Sequence, residues 1–312
     1  MKYSITTIVA GSPGFIDIDE AEYKRIESAI TNLFELLFIE EKLDLVMENF
    51  QEHEVELLTI ASRAMVFNDD DYFSFSRERN TVSRRIVNLL SACGLYLDQI
   101  VHHMHSIYGA NSDQSKFLEQ EIDSQNVQNF GFRLMKALRN YTQHRGSPIH
   151  AMKISGEWFD IDSDEKSRLQ HTVIPLVYPS ELADDRKFKR AVLDELIAID
   201  NKNGIDIRPL IRDCIEGLGK IHEKVRELIH LDVEKWEGIL DDTIKLYQNE
   251  FGADASLAGL AIVVRKDDDH WSEQRTIFKE FIEKRRALER KNSAFGSLRK
   301  RYASNEFKKK DA

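Results

Sequence analysis

Over residues 17–58, apolar side chains recur every three or four positions: Ile26, Ile30, Leu33, Leu37, then Leu43 and Val46. That is the helical period, and it predicts a long helix with one apolar face. Asn68-Asp69-Asp70-Asp71 breaks it. A second long helix is predicted over 81–108, with Ile86, Leu89, Leu90, Leu97, Val101 and Met104 on one side. After a polar break at Asn111-Ser112-Asp113 come a short helix, 114–122, and another over about 126–144. The last carries the stripe Val127, Phe130, Leu134, Leu138 and Tyr141. Ahead of them all, residues 3–10 alternate and are rich in Ile, Thr and Val, which reads as a strand.

The pattern changes after Pro148. Residues 152–159 and 169–178 read as two strands joined by a polar segment, with Pro175 marking an edge strand. Helices are predicted over 186–199, 207–229 and 233–251, and a final amphipathic one over 270–301. Residues 257–264 are apolar throughout, and period alone leaves strand and buried helix turn both open. The expected fold is therefore mainly α. A helical bundle with a short N-terminal strand fills residues 1–150. A small β element near 150–180 and a second helical region with a basic tail fill 151–312.

Composition narrows the setting. Two cysteines, Cys93 and Cys214, are too few for a disulfide framework or a cysteine-based zinc site, and a reducing cytoplasm is the expected location. The apolar run at the N-terminus is stopped by Gly11-Ser12-Pro13-Gly14, too early for a signal peptide, and nothing is long enough to span a membrane. The formal net charge is −10, but residues 284–310 hold eleven Lys and Arg against two Glu. A basic tail on an acidic body suits a local RNA-binding arm, and Arg299, Lys300 and Arg301 are its candidate contacts. A solvated, fraying helix end is the alternative.

One short stretch points at chemistry: Arg139-Asn140-Tyr141-Thr142-Gln143-His144, followed by Arg145-Gly146-Ser147-Pro148. An arginine grips a phosphate through its planar fork, and an imidazole moves protons near neutral pH. Arg145 adds a further cation. The Gly/Pro break ends the helix that carries them.

Arg139-Asn140, three residues, then His144, late in a helical bundle, resembles the HEPN family (higher-eukaryote and prokaryote nucleotide-binding domain) over roughly residues 17–148. The resemblance implies a metal-independent endoribonuclease with no cofactor. In it the RNA 2′-OH attacks the adjacent phosphate and leaves a 2′,3′-cyclic phosphate. Arg139, Asn140 and His144 would form the site. It also implies RNA rather than DNA as substrate, and a toxin or antiviral defence role under a neutralising or regulatory partner. The alternative is a non-catalytic HEPN-like module for RNA binding or dimerisation.

Five positions apart on an ideal helix, Arg139 and His144 point about 140° away from each other. Family members commonly build the site where two copies meet, which implies a homodimer here. They also lend a polar residue from an earlier helix, for which Ser83, Asn88 and Asp98 are open candidates. Some toxins carry a modified Tyr two residues after the His; Gly146 stands there in this chain.

Other clusters have plainer readings. His102-His103-Met104-His105 lacks a carboxylate or cysteine at zinc-motif spacing, so no metal is expected. Arg77, Arg79, Arg84 and Arg85 could bind RNA backbone, but pairing with the acidic Asp69-Asp70-Asp71 run is the favoured reading. Asp267-Asp268-Asp269 reads as a charged loop.

Overall fold

The computed structural model of the chain describes residues 1–9, 13–67, 71–159, 168–200, 202–267 and 270–303. The acidic runs at 68–70 and 268–269, the polar segment 160–167 and the last lysines of the tail lie outside them. The fold is mainly α. The elements run β1 (Lys2–Thr7), β2 (Ile16–Ile18), α1 (Glu20–Val66), α2 (Tyr72–Tyr108), α3 (Asp113–Gln128) and α4 (Phe130–His144). They continue with β3 (Ala151–Phe159), β4 (Arg168–Val177), α5 (Pro179–Ala183), α6 (Arg190–Ile199), β5 (Ile205–Asp206) and α7 (Arg208–Phe251). β6 (Leu260–Asp267), β7 (His270–Thr276), α8 (Glu280–Lys291) and a 3-10 turn, Leu298–Lys300, complete the chain.

Two compact units emerge, and neither is contiguous. Unit 1 takes Met1–Lys42, Gln99–Leu118 and Glu223–Ser293; unit 2 takes Leu43–Asp98, Glu119–His222 and Ala294–Ala312. Helices α1, α2, α3 and α7 each run from one into the other. The expected boundary near Pro148 therefore does not coincide with these units: residues on both sides of it contribute to both.

Unit 1 is built on a four-stranded sheet of order β2-β1-β6-β7. β1 pairs antiparallel with both neighbours, Tyr3 lying opposite Ile18 on one side and Val264 on the other. Ile5, Leu260 and Ile262 are fully buried there, with Ile26 and Leu33 of α1. Phe34 stacks on Phe281 of α8 at 4.4 Å between ring centroids. Of this sheet the sequence pattern predicts β1, over residues 3–10, and leaves β6 open; β2 and β7 are not predicted. The predicted helix over 270–301 is corrected: its first residues form β7 against β6, with a bulge between Val264 and Arg265, and the α-helix within it is Glu280–Lys291, followed by the 3-10 turn. The open segment 257–264 resolves as β6.

Unit 2 packs the C-terminal part of α1, the N-terminal part of α2, α4 and the start of α7 around Leu43, Val46, Ile86, Phe132, Leu138 and Leu218. The predicted helices over 207–229 and 233–251 are one helix, α7. A second sheet, β3-β4-β5, is the predicted β element. β4 is its middle strand, not the edge that Pro175 suggested, because β5 pairs only with Leu176 and Val177. Within a strand a residue's N–H and C=O point the same way. Pro175 O accepts from Ile207 N at 3.2 Å, so its missing N–H falls on that short side. The outer face of this sheet and the Phe67, Tyr72 and Phe75 side chains line a cleft of about 1520 Å³.

Candidate active site on helix α4

The motif helix is positioned at both ends. Asn129 caps it, its side chain accepting from Phe132 N at 3.0 Å while Asn129 Nδ2 donates to the Asp213 carbonyl of α7 at 2.8 Å. An N-cap of this kind contributes roughly 1 kcal/mol. The cap starts the helix at Phe130, which leaves Val127, expected in the apolar stripe, exposed on α3. Leu134, Leu138 and Tyr141 are buried as the period requires. At the other end the N–H groups of Arg145 and Gly146 both donate to Tyr141 O, at 2.8 and 3.3 Å.

α4 stays regular through His144, so the motif side chains divide between faces. Arg139 turns toward α2. Its guanidinium lies across Gly94, where an added Cβ would stand 2.2 Å from Cζ. Nη2 reaches Asp98 Oδ2 at 3.6 Å. Among the three open candidates on α2, Asp98 is thus the one beside Arg139; Ser83 instead bonds Ser147 at 2.7 Å between hydroxyl oxygens. Arg139 Nε is buried without a hydrogen-bond partner among the described residues. Asn140 and His144, four apart, share a face and are both exposed, as is Arg145. His144 makes no hydrogen bond among the described residues. Within one chain Arg139 and His144 therefore stay on different faces, as the 140° estimate required.

The tail cations stand elsewhere. Arg299 Nη1 lies 3.4 Å from Asp213 Oδ2, and Asp213 is the residue that holds the α4 cap. Arg299 therefore sits at the start of α4, about 20 Å from His144 along a 15-residue helix. Lys300 and Arg301 adjoin it in the 3-10 turn and its exit. The structure does not bring Arg299, Lys300 and Arg301 together with Arg139, Asn140, His144 and Arg145.

Two groups beside the motif were not legible in the sequence. His150, just past the break, accepts at Nδ1 from Tyr178 N at 2.9 Å, which fixes its neutral tautomer with the proton on Nε2. Burial lowers its pKa, and Nε2 is buried without a partner among the described residues. Its ring stands edge-on to Tyr141 at 6.3 Å. Phe188 meets the same Tyr141 ring edge-on at 6.1 Å. Tyr141 is thus the hub on which the segments after α4 and before α6 settle. Burial, then the Glu181 carboxylate, raises its pKa.

Elsewhere, Arg85 pairs with Glu52 at 2.5 Å and Glu56 at 3.4 Å on α1; Asp69 and Asp70 of the acidic run expected to pair with the arginines lie outside the described residues. His103 bonds Glu35 at 2.5 Å. Among the described residues no group of three His, Cys, Asp or Glu side chains is placed to hold a metal ion, and no helix is long and apolar enough to cross a membrane. No protein-family model matches the chain, and neither a curated protein nor a solved structure matches it.

Proposed function

We propose that the chain is a HEPN-type endoribonuclease that cuts RNA without a metal, at a site completed by a second copy of itself. The observation that carries this reading is the division of the motif on α4. Asn140 and His144 stand exposed on one face with no internal role for the imidazole, while Arg139 is seated on α2 beside Asp98. Side chains that point apart in one chain can be brought to one phosphate when two α4 ends face each other.

The chemistry is a transesterification. The 2′-oxygen bonds to phosphorus, the bond from phosphorus to the 5′-oxygen breaks, and a cyclic phosphate and a 5′-OH result. One His144 takes the 2′-OH proton, and His144 of the second copy gives a proton to the leaving 5′-oxygen. Arg139 stabilises the charge on the phosphorane. A toxin or antiviral defence role under a regulatory partner belongs to the same reading.

One observation favours a second reading. Arg139 is already engaged with Asp98 and half-buried, as a structural arginine would be, and the bundle would then bind RNA or a second copy without cutting.

The test is cleavage of total RNA and tRNA by the purified full chain in EDTA, with product ends mapped. Cleavage by the wild type, a 2′,3′-cyclic phosphate end, and losses of at least about a hundredfold in His144→Ala and Arg139→Ala are expected. RNA left intact by the wild type gives the ground to the non-catalytic module.

A further inference from the structure

Between α5 and α6 the chain reads Asp184-Asp185-Arg186-Lys187-Phe188-Lys189-Arg190. This loop is held rather than loose. Phe188 is buried and set edge-on against Tyr141 of the motif helix. Its N–H donates to Asp185 O at 2.9 Å, and the Lys187 N–H donates to Asp185 Oδ1 at 3.1 Å. With Phe188 turned inward, Arg186, Lys187 and Lys189 are all exposed. None of the three has an ion pair among the described residues. Arg190, by contrast, pairs with Asp194 at 2.9 Å.

A fourth cation stands on α4 itself. Lys136 Nζ donates to Asn126 Oδ1 at 3.1 Å and sits 5.6 Å from the centre of the Phe132 ring. Burial first, and next the charge of Lys189, hold its pKa below the usual lysine value. Lys136, Asn140 and His144 follow at steps of four, so they form one row about 12 Å long on the helix surface. α6 runs back along α4, Arg133 Nη2 donating to Glu195 Oε2 at 2.6 Å and Phe188 meeting Tyr141, which sets the pinned loop beside the middle and end of that row.

We propose that Arg186, Lys187 and Lys189, together with Lys136, form a seat for the phosphate backbone of single-stranded RNA leading into His144. The inference rests on the ribonuclease reading above. It names the strand's approach, along α4 from Lys136, and it assigns the approach to the α5–α6 loop rather than to the basic tail. Single-stranded RNA fits because in-line attack by a 2′-OH needs a backbone free of duplex geometry, and the loop offers charge without a stacking ring, Phe188 being buried. Such contacts are blind to base identity and sensitive to salt.

The experiment uses the full chain carrying His144→Ala, so that the RNA survives, and a fluorescein-labelled single-stranded RNA of mixed sequence. Anisotropy titrations are run at several salt concentrations. Replacing Arg186, Lys187 and Lys189 together by Gln should weaken binding at least about tenfold at low salt. It should also flatten the slope of log affinity against log salt by about two, the share of three phosphate contacts. Replacing Arg299, Lys300 and Arg301 by Gln should leave that slope unchanged. The loop residues are exposed and Phe188 is retained, so the melting temperature checks that the fold survives. Binding by the parent with an unchanged slope in the loop variant overturns this inference and leaves the ribonuclease reading standing. A slope lost in the tail variant instead overturns it in favour of the tail. A parent that binds no RNA at low salt, paired with a wild type that cuts none, overturns both.

Discussion

The guanidinium of Arg139 occupies the space that a side chain at Gly94 would fill: a Cβ there would stand 2.2 Å from Cζ and 2.3 Å from Nε. Gly94 is buried in the middle of α2, where glycine costs helix stability. The absent side chain lets an arginine from α4 lie flat on α2 and reach Asp98.

Gly94→Ala therefore separates seat from fold. The methyl meets the movable end of a flexible side chain, so Arg139 is expelled while the helices stay. The alanine's gain in helix propensity, up to about 1 kcal/mol, offsets lost packing. The melting temperature should stay within about 4 °C of wild type, while RNA cleavage falls as far as in Arg139→Ala. Full activity in Gly94→Ala would show that Arg139 works from another position.

Gly131 presents the opposite case. An added Cβ would stand 2.3 Å from the Leu210 carbonyl oxygen and 2.8 Å from Asp213 Cβ, both on α7. One neighbour is backbone, so the helices themselves must separate. Gly131→Ala should destabilise the chain by about 1–3 kcal/mol in denaturant titration, and an unchanged midpoint would contradict the close approach of α4 and α7.

His53 is fully buried with neither ring nitrogen bonded among the described residues, and burial lowers its pKa to about 4. Above pH 6.5 the ring is neutral folded and unfolded, and it adds no pH dependence. Below pH 6.5 the unfolded chain takes up a proton that the folded one refuses. Stability is therefore lost as pH falls from 6.5 toward 4, by about 3 kcal/mol in all. His53→Leu should remove that part of the acid limb in melts between pH 7 and 4. A parallel pH profile for the two proteins would place the acid sensitivity elsewhere.

Arg226 bonds Glu40 through both nitrogens that face it, at 2.9 and 2.6 Å, and also donates to Asn292 O at 3.0 Å. The Glu40 side chain is only 6% exposed. Arg226→Met strands a buried carboxylate and should cost about 3–5 kcal/mol. Adding Glu40→Leu should recover most of it. Denaturant midpoints of the four proteins in that cycle check this; a double variant as weak as the single would mean that packing, not charge, is lost.

What the sequence made legible follows from how local each signal is. The stripes of α1 and α2 and the pair β3–β4 declared themselves because period and turn lie within a few neighbours. The sheet of unit 1 did not: β1 meets β6 across some 260 residues, and Glu273, Gln274 and Arg275 of β7 carry helix-forming side chains that ladder pairing overrules. A break near His230 was expected without Gly or Pro to make one, and α7 runs on. At the site, Arg139, Asn140 and His144 could be picked by type and spacing. Asp98 could be named only as one of three candidates, and His150 and Phe188 not at all, since no spacing along one helix says how the next is rotated against it or where a loop settles.

Since α1, α2, α3 and α7 each begin in one unit and end in the other, no single stretch of the gene encodes either unit. A chain cut at Pro148 therefore leaves neither unit complete in either fragment.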